Sequence, residues 1–337
     1  MRKIVYCLMF CLVGLALFAG PALAVDIKLA HEEITGGMED LYAKNFKERV
    51  EKRLPDWNVE IYPVGVLGDA QDQAEQVMNG VINFDITCSN IGVFIPMIRI
   101  FAVPFVWSRD NAVNSKIMES SPALYEILGK AIDEKGMKLL SVFPEGWQIW
   151  SSNKPLKTPE DFKNLRIRVM ADPLLAEVYK SYGANPQHVP YAEIYSALQL
   201  KQIDANIQPY FAHEEMSFYE QQDYMTNAFE IPFASAFVAN LEWFNSLTPA
   251  EQEAVRLSAT EAIAYIIEEG DKINEADKAK MLKERPNMIF YDLTDEERDK
   301  FVALATPSEK LFIEMAGPEG EKLLTELKKE IKTLEGK

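Results

Sequence analysis

Apolar and polar residues follow two distinct periods along this chain, and the switches between them outline an open α/β architecture. Ile27 and Leu29 alternate with Lys28 and Ala30 up to His31, the period of a strand. After Gly36-Gly37, the residues Met38, Tyr42, Phe46 and Val50 recur every four positions and make one helical stripe. Val59 and Ile61 alternate as a second strand, residues 71–79 read as a helix, and residues 81–86 as a third strand. This β-α-β-α-β series begins an open α/β sheet. Residues 139–143 add a strand.

A second unit follows Gly146. It has a strand at 165–170, helices at 174–182 and 192–201, and a short strand at 205–207. Residues 236–239 read as a strand returning to the first unit. Thr248-Pro249-Ala250-Glu251 then starts a helix: Thr248 caps it, Pro249 suits its first position, and Glu251 completes a capping box. The pattern runs without a breaker to about Glu284, where Arg285-Pro286 ends it. A helix of that length spans on the order of 54 Å and is long enough to brace two lobes. Thr294 with Glu297 and Thr306 with Glu309 start two further helices by the same signature. There is no internal repeat and no low-complexity linker, so the crossings between units are expected to be short and strand-like.

Composition narrows the setting. Residues 1–24 have the form of an export signal: Arg2 and Lys3 lead, an apolar stretch follows, and Ala22-Leu23-Ala24 offers a small-residue cleavage site. The apolar part is short for a membrane span. Cleavage after Ala24 would remove Cys7 and Cys11, leaving Cys88 alone and no internal disulfide. It would also move the formal charge from −17 to −19. Such a chain is a poor partner for nucleic acid or anionic lipid. An anionic ligand would need a focused positive site.

Arg168 is the first candidate for that site. It sits between Ile167 and Val169 in a short β-branched run, where a guanidinium is costly unless acceptors meet it. A ligand carboxylate would do so, as would an internal salt bridge. Catalytic signatures are otherwise absent: no Gly-x-Ser-x-Gly, no phosphate-cradling loop, no His-Glu-x-x-His and no Cys-x-x-Cys. His31, His188 and His213 lack close metal spacing, and neither a metal nor a cofactor is expected. Cys88, at the end of a buried strand, reads first as a core thiol. Glu32-Glu33 follow the first strand, at the sheet end where open α/β sheets take ligands.

The ordered set of motifs resembles the solute-binding proteins of TRAP transporters, of the C4-dicarboxylate-binding type. It comprises strand 27–31; Tyr62-Pro63 with Leu67-Gly68-Asp69; residues 80–85; Pro104-Phe105; Ser152-Asn153-Lys154-Pro155; Asn164-Leu165-Arg166-Ile167-Arg168; Gly183-Ala184-Asn185-Pro186; and residues 191–199. The resemblance implies a two-lobed periplasmic-binding-protein-like fold: two open α/β domains joined by hinge strands and braced by the long helix. Residues 25–145 with 234–274 would form one domain, and 146–233 with 275–337 the other. It implies an exported, periplasmic receptor, most simply a monomer, that closes over an organic acid and delivers it to TRAP permease subunits without making or breaking a bond.

The family's arginine falls on Arg168, where a planar fork suits a carboxylate. Two positions depart from the family. Gln148 stands where many relatives carry a second arginine, and Gln208 where they carry an asparagine. Trp147, Trp150, Tyr191, Tyr210, Phe211 and Phe233 fall on or beside segments that line the cleft in relatives, together with Glu32, Thr87 and Cys88. The lost charge and the rings favour an aromatic or bulky monocarboxylate. A C4-dicarboxylate, sugar acid or other small acid is the alternative ligand. Ligand presentation to a sensor receptor, or an enzyme using Arg168 as an anion clamp with Glu32 as its base, are the alternative classes.

Overall fold

The computed structural model describes residues 25–336, so the export-signal reading lies outside the described residues. Nine strands form one sheet: β1 (Val25–Ala30), β2 (Trp57–Tyr62), β3 (Phe84–Thr87), β4 (Met137–Ser152), β5 (Arg166–Val169), β6 (Asn185–His188), β7 (Ala205–Gln208), β8 (Tyr224–Asn240) and β9 (Ile289–Asp292). Their order is β2-β1-β3-β8-β4-β7-β5-β6, with β9 paired to β8. The expected α/β class holds, with one refinement. The two lobes share a single sheet because β4 and β8, 16 and 17 residues long, run antiparallel through both. The strands expected at 139–143 and 236–239 are the first-lobe portions of this pair. The pair's remaining length was hidden because bulges at Leu139/Ser141, Pro144/Gly146 and Trp147/Ile149 break the alternation that marks a strand.

In the first lobe, β1 pairs in parallel with β2 and β3, and β3 pairs with the C-terminal end of β8. The helix Met38–Arg53 buries Met38, Tyr42, Phe46 and Val50 against this wing. Tyr42 stacks on Phe143 of β4 at 4.3 Å between ring centroids, and its hydroxyl meets the Ser141 hydroxyl at 2.7 Å. In the second lobe, β5 lies parallel to β6 and β7. Trp150 of β4 is fully buried there among Phe162, Tyr182 and Phe301.

The long helix is Pro249–Glu284, with the capping box in place: Thr248 N–H donates to Glu251 at 2.8 Å and Glu251 N–H to the Thr248 hydroxyl at 3.3 Å. It braces both lobes. Val255, Ala259, Ala262, Ile263 and Ile266 pack in the core around Tyr42, whereas Met281 packs with Ile149, Tyr210 and Met225. Between them, Asn274 donates to the Glu145 carbonyl in mid-β4 at 2.8 Å. Thr294 caps Asp295–Ala305 as expected. Thr306 does not cap the helix that follows it. Its backbone stays helical and its hydroxyl donates back to the Val302 carbonyl at 2.8 Å, so the chain turns into Pro307–Leu334 without a cap. Among the described residues no helix is long and apolar enough to cross a membrane.

Candidate functional site

Arg168 leaves β5 with its side chain 4% exposed. Its Nε donates to the Val189 carbonyl at 2.9 Å. No carboxylate lies within ion-pair distance of it among the described residues. The internal salt bridge weighed from sequence is therefore not formed. Burial holds its pKa down to about 10, still far above neutrality. The result is a permanent buried cation that lines a cavity of about 350 Å³ between the lobes.

The first lobe supplies the opposite wall. Glu32 and Glu33 follow β1, Glu39 lies in the first turn of Met38–Arg53, Thr87 ends β3 with Cys88 just after it, and Glu145 comes from mid-β4. The second lobe adds Met170, Tyr191, Gln208, Phe211 and Phe233 beside Arg168. Two contacts join the lobes. Arg99, in the segment after β3, donates to Asp172, after β5, at 3.1 Å in a buried ion pair. Cys88 Sγ lies 3.8 Å from Met170 Sδ.

The acidic wall is held by backbone. Glu33 accepts the Glu39 N–H at 2.6 Å, and Glu39 accepts the Glu32 N–H at 2.7 Å and the Ser235 hydroxyl at 3.2 Å. These bonds fix the carboxylates at the start of a helix, where the dipole favours negative charge. Burial nevertheless works against ionisation. Glu32 is pushed up to about 7 by burial and by Asp69, against the pull of Arg168. Glu145 is pushed up to about 7 by burial, with Ser235 and Glu33 acting the other way. Glu215, which accepts the Tyr191 hydroxyl at 2.9 Å, rises to about 8, again mainly through burial. Glu33 and Glu39 rise for the same first reason and through one another's neighbours. Burial also pushes the Cys88 thiol up, which leaves it a poor nucleophile.

Of the residues expected to touch ligand, Arg168, Gln208, Tyr191, Glu32, Phe233, Thr87 and Cys88 line this one cavity. Four do not. Trp150 lies in the second-lobe core, where its Nε1 donates to Glu230 at 2.9 Å. Trp147 and Tyr210 line a separate cleft on the hinge: Trp147 donates to Asn111 at 2.8 Å and packs edge-on against Phe229. Gln148 is buried in β4 without reaching the cavity wall. The bulges in β4 re-aim these side chains, a change that residue spacing does not disclose. Glu39 and Glu145 were missed. Glu145 lies inside β4, but the strand read from sequence stops at 143, so its charge had no strand to stand out in.

Comparison with known proteins agrees with this geometry. The family model described as bacterial extracellular solute-binding protein, family 7 (DctP), matches residues 29–315. The ectoine-binding periplasmic protein TeaA of Halomonas elongata is 33% identical over 309 residues, 91% of this chain and 90% of that one. The ectoine/5-hydroxyectoine-binding periplasmic protein UehA of Ruegeria pomeroyi is 32% identical over 320 residues, 94% of each chain. The high-resolution structure of the Halomonas protein superposes with a TM-score of 0.89, covering 92% of this chain and all of that one. A cation set in a two-lobed cleft, on a fold and sequence shared this widely, establishes that the chain belongs to the DctP family of TRAP-transporter solute-binding proteins.

Proposed function

We propose that this chain is a periplasmic receptor, exported by cleavage after Ala24, that captures a small zwitterionic organic acid and hands it to a TRAP permease. One observation carries the reading: a single cavity of about 350 Å³ sets Arg168 on one wall against Glu32, Glu33, Glu39 and Glu145 on the other. A carboxylate satisfies the first wall through two parallel charge-assisted hydrogen bonds. A nitrogen cation in the same molecule relieves the second, where crowded buried carboxylates cannot all ionise unaided. The volume is at the small end of the usual ligand-site range of roughly 300–1,000 Å³. Ectoine, a cyclic amidinium carboxylate named in the Halomonas and Ruegeria relatives, is of this class. The lobes, 25–145 with 234–274 and 146–233 with 275–337, close by bending β4 and β8, and the ligand leaves unchanged.

Tyr191, Phe211 and Phe233 also line the cavity, and they support a second reading, the aromatic or bulky monocarboxylate. Its support is reduced because Trp147, Trp150 and Tyr210 lie elsewhere.

A thermal-shift and calorimetric screen separates the two readings, since a ligand of the native state raises its melting temperature. Ectoine and 5-hydroxyectoine are expected to bind more tightly than indole-3-acetate, succinate or glucuronate. An aromatic acid binding tightest would favour the second reading. Chemical conversion of a bound acid would overturn both.

A further inference from the structure

Glu215 meets the first lobe at a point that the capture of a ligand leaves unexplained. It ends the helix Tyr210–Glu215 of the second lobe, and the Tyr191 hydroxyl of that lobe donates to it at 2.9 Å. Its other oxygen lies over Gly37, the residue before the helix Met38–Arg53. A Cβ built on Gly37 would stand 2.5 Å from Glu215 Oε2 and 2.6 Å from Glu33 Oε2. Carboxylates from the two lobes thus crowd one point, and a side chain there would displace both. The backbone of Gly37, at φ −67° and ψ 174°, is open to any residue, so glycine supplies space here and not conformational freedom. Phe211 and Ala212, earlier in the same second-lobe helix, pack in the core that holds Met38 and Tyr42. The contact joins an apolar patch to two like carboxylates.

No cation offsets the pair. Among the described residues neither Glu33 nor Glu215 has an ion-pair partner. Glu215 is faced by Glu33, Glu145 and Asp277, and Glu214 beside it is engaged by Lys280. Glu33 is faced by Glu39, Glu145 and Glu215. The Nδ1 of His31 accepts the Glu33 N–H at 3.3 Å and has no proton to lend. Arg168 is felt at Tyr191. Two half-buried or buried carboxylates at such range cannot both ionise, so one holds a proton while the lobes are together. With the lobes apart, Glu215 leaves Glu33 for water, where a glutamate is ionised at neutral pH.

We propose that Gly37, Glu33 and Glu215 form a closure seam, at which the protein takes up a proton as its lobes come together on a ligand. This rests on the lobe-closing receptor reading above and adds a regulator to it, the pH. In the closed arrangement burial holds Glu215 up at about 8, against an ordinary value of 4.5. A carboxyl whose pKa rises on closure favours the closed state on the acid side, and that advantage is lost as pH rises through about 8. Capture is strengthened below that pH and release above it.

The test compares the mature chain with its Glu215→Gln and Gly37→Ala variants. Glutamine keeps an acceptor for Tyr191 and removes the titrating group. The probe is whichever of ectoine, indole-3-acetate, succinate or glucuronate raises the melting temperature most. Calorimetry at pH 7.5 in phosphate and in Tris, buffers of different ionisation enthalpy, counts the protons bound with it. The wild type is expected to take up about half a proton or more beyond Glu215→Gln. From pH 6.5 to 8.5 its affinity is expected to fall by about tenfold or more relative to that variant, a ratio that cancels the groups both chains share. Gly37→Ala is expected to bind the acid about tenfold or more weakly, with an unchanged circular-dichroism spectrum of the free protein. Equal proton counts in wild type and Glu215→Gln would overturn the seam. So would an affinity loss in Glu215→Gln that is the same at every pH, which is what a purely structural role predicts, or wild-type affinity in Gly37→Ala. If none of the four acids binds, the ligand reading falls and the seam is read on the free protein by small-angle scattering. The wild type is then expected to be more compact at pH 6 than at pH 9, and Glu215→Gln alike at both. The same pH response in both chains would overturn the seam there too.

Discussion

At the scale of single residues, the site is a problem of unpaired charge. Arg168 spends one N–H on the Val189 carbonyl, and among the described residues no carboxylate pairs with it. Replacing it with alanine is expected to weaken ligand binding by about 100-fold or more, since two charge-assisted hydrogen bonds are lost. Calorimetry on Arg168→Ala checks this, and near-wild-type affinity would remove Arg168 from the site. Lysine should recover only part of the loss, because an ammonium lacks the planar fork. Trp147 is the complementary control. Its indole is bonded to Asn111 in a different cleft, so Trp147→Phe is expected to leave affinity within about twofold in the same titration. The arginine was legible in sequence because a guanidinium in a β-branched run has few innocent explanations. Trp147, Trp150 and Tyr210 misled because a ring near a cleft-lining segment looks the same whether it faces the cleft or the core.

At the scale of elements, most of the helices could be read from local chemistry, and the central strands only over their first-lobe portions. Thr248 and Thr294 announce their helices through capping boxes that the structure contains. Thr306 carries the same letters, Thr-Pro-Ser-Glu, but the preceding helix runs into it, and its hydroxyl turns back to Val302. The two sites therefore make a matched pair. Thr294→Ala is expected to cost about 1 kcal/mol, and Thr306→Ala less than about 0.5 kcal/mol, in chemical denaturation. Equal costs would mean that the caps are misassigned. β4 and β8 escaped because a strand that crosses between lobes is buried on changing faces and bulged where it bends. Its apolar positions keep no single period. Gly146 marks such a bend. Gly146→Ala is expected to lower the melting temperature by several degrees, through both the left-handed backbone and the encroachment on Asn274.

At the scale of the whole molecule, the acidic wall couples ligand, protons and stability. Glu32 and Glu145 ionise near 7 and Glu215 near 8, against about 4.5 for ordinary glutamates. The native state therefore holds protons that the unfolded chain has already released, and stability must fall as pH rises through those values. His213, held near 4 by burial, acts in the opposite sense, but only below its ordinary value of 6.5. Between pH 6.5 and 8.5 the raised carboxylates set the direction, and the Cys88 thiol, also pushed up by burial, acts in the same sense at the upper end. Calorimetric scans of the free protein should show its melting temperature falling across that window, and a saturating cationic acid should flatten the fall. A melting temperature that is level or rising there would contradict the buried acidic wall. The wall was only half visible in sequence. Glu32-Glu33 stood at the end of a strand, but Glu39 and Glu145 join them through the helix start and the hinge, contacts made only on folding.

The central claim is that Arg168 and the facing carboxylates hold the two ends of one small molecule. A crystal structure of the mature chain with the tightest-binding acid from the screen tests it most directly. The account predicts a carboxylate bound through two oxygens to the terminal nitrogens of Arg168, with the nitrogen end of the ligand toward the wall of Glu32, Glu33, Glu39 and Glu145. A ligand carboxylate bound elsewhere, with Arg168 facing only solvent, would contradict it.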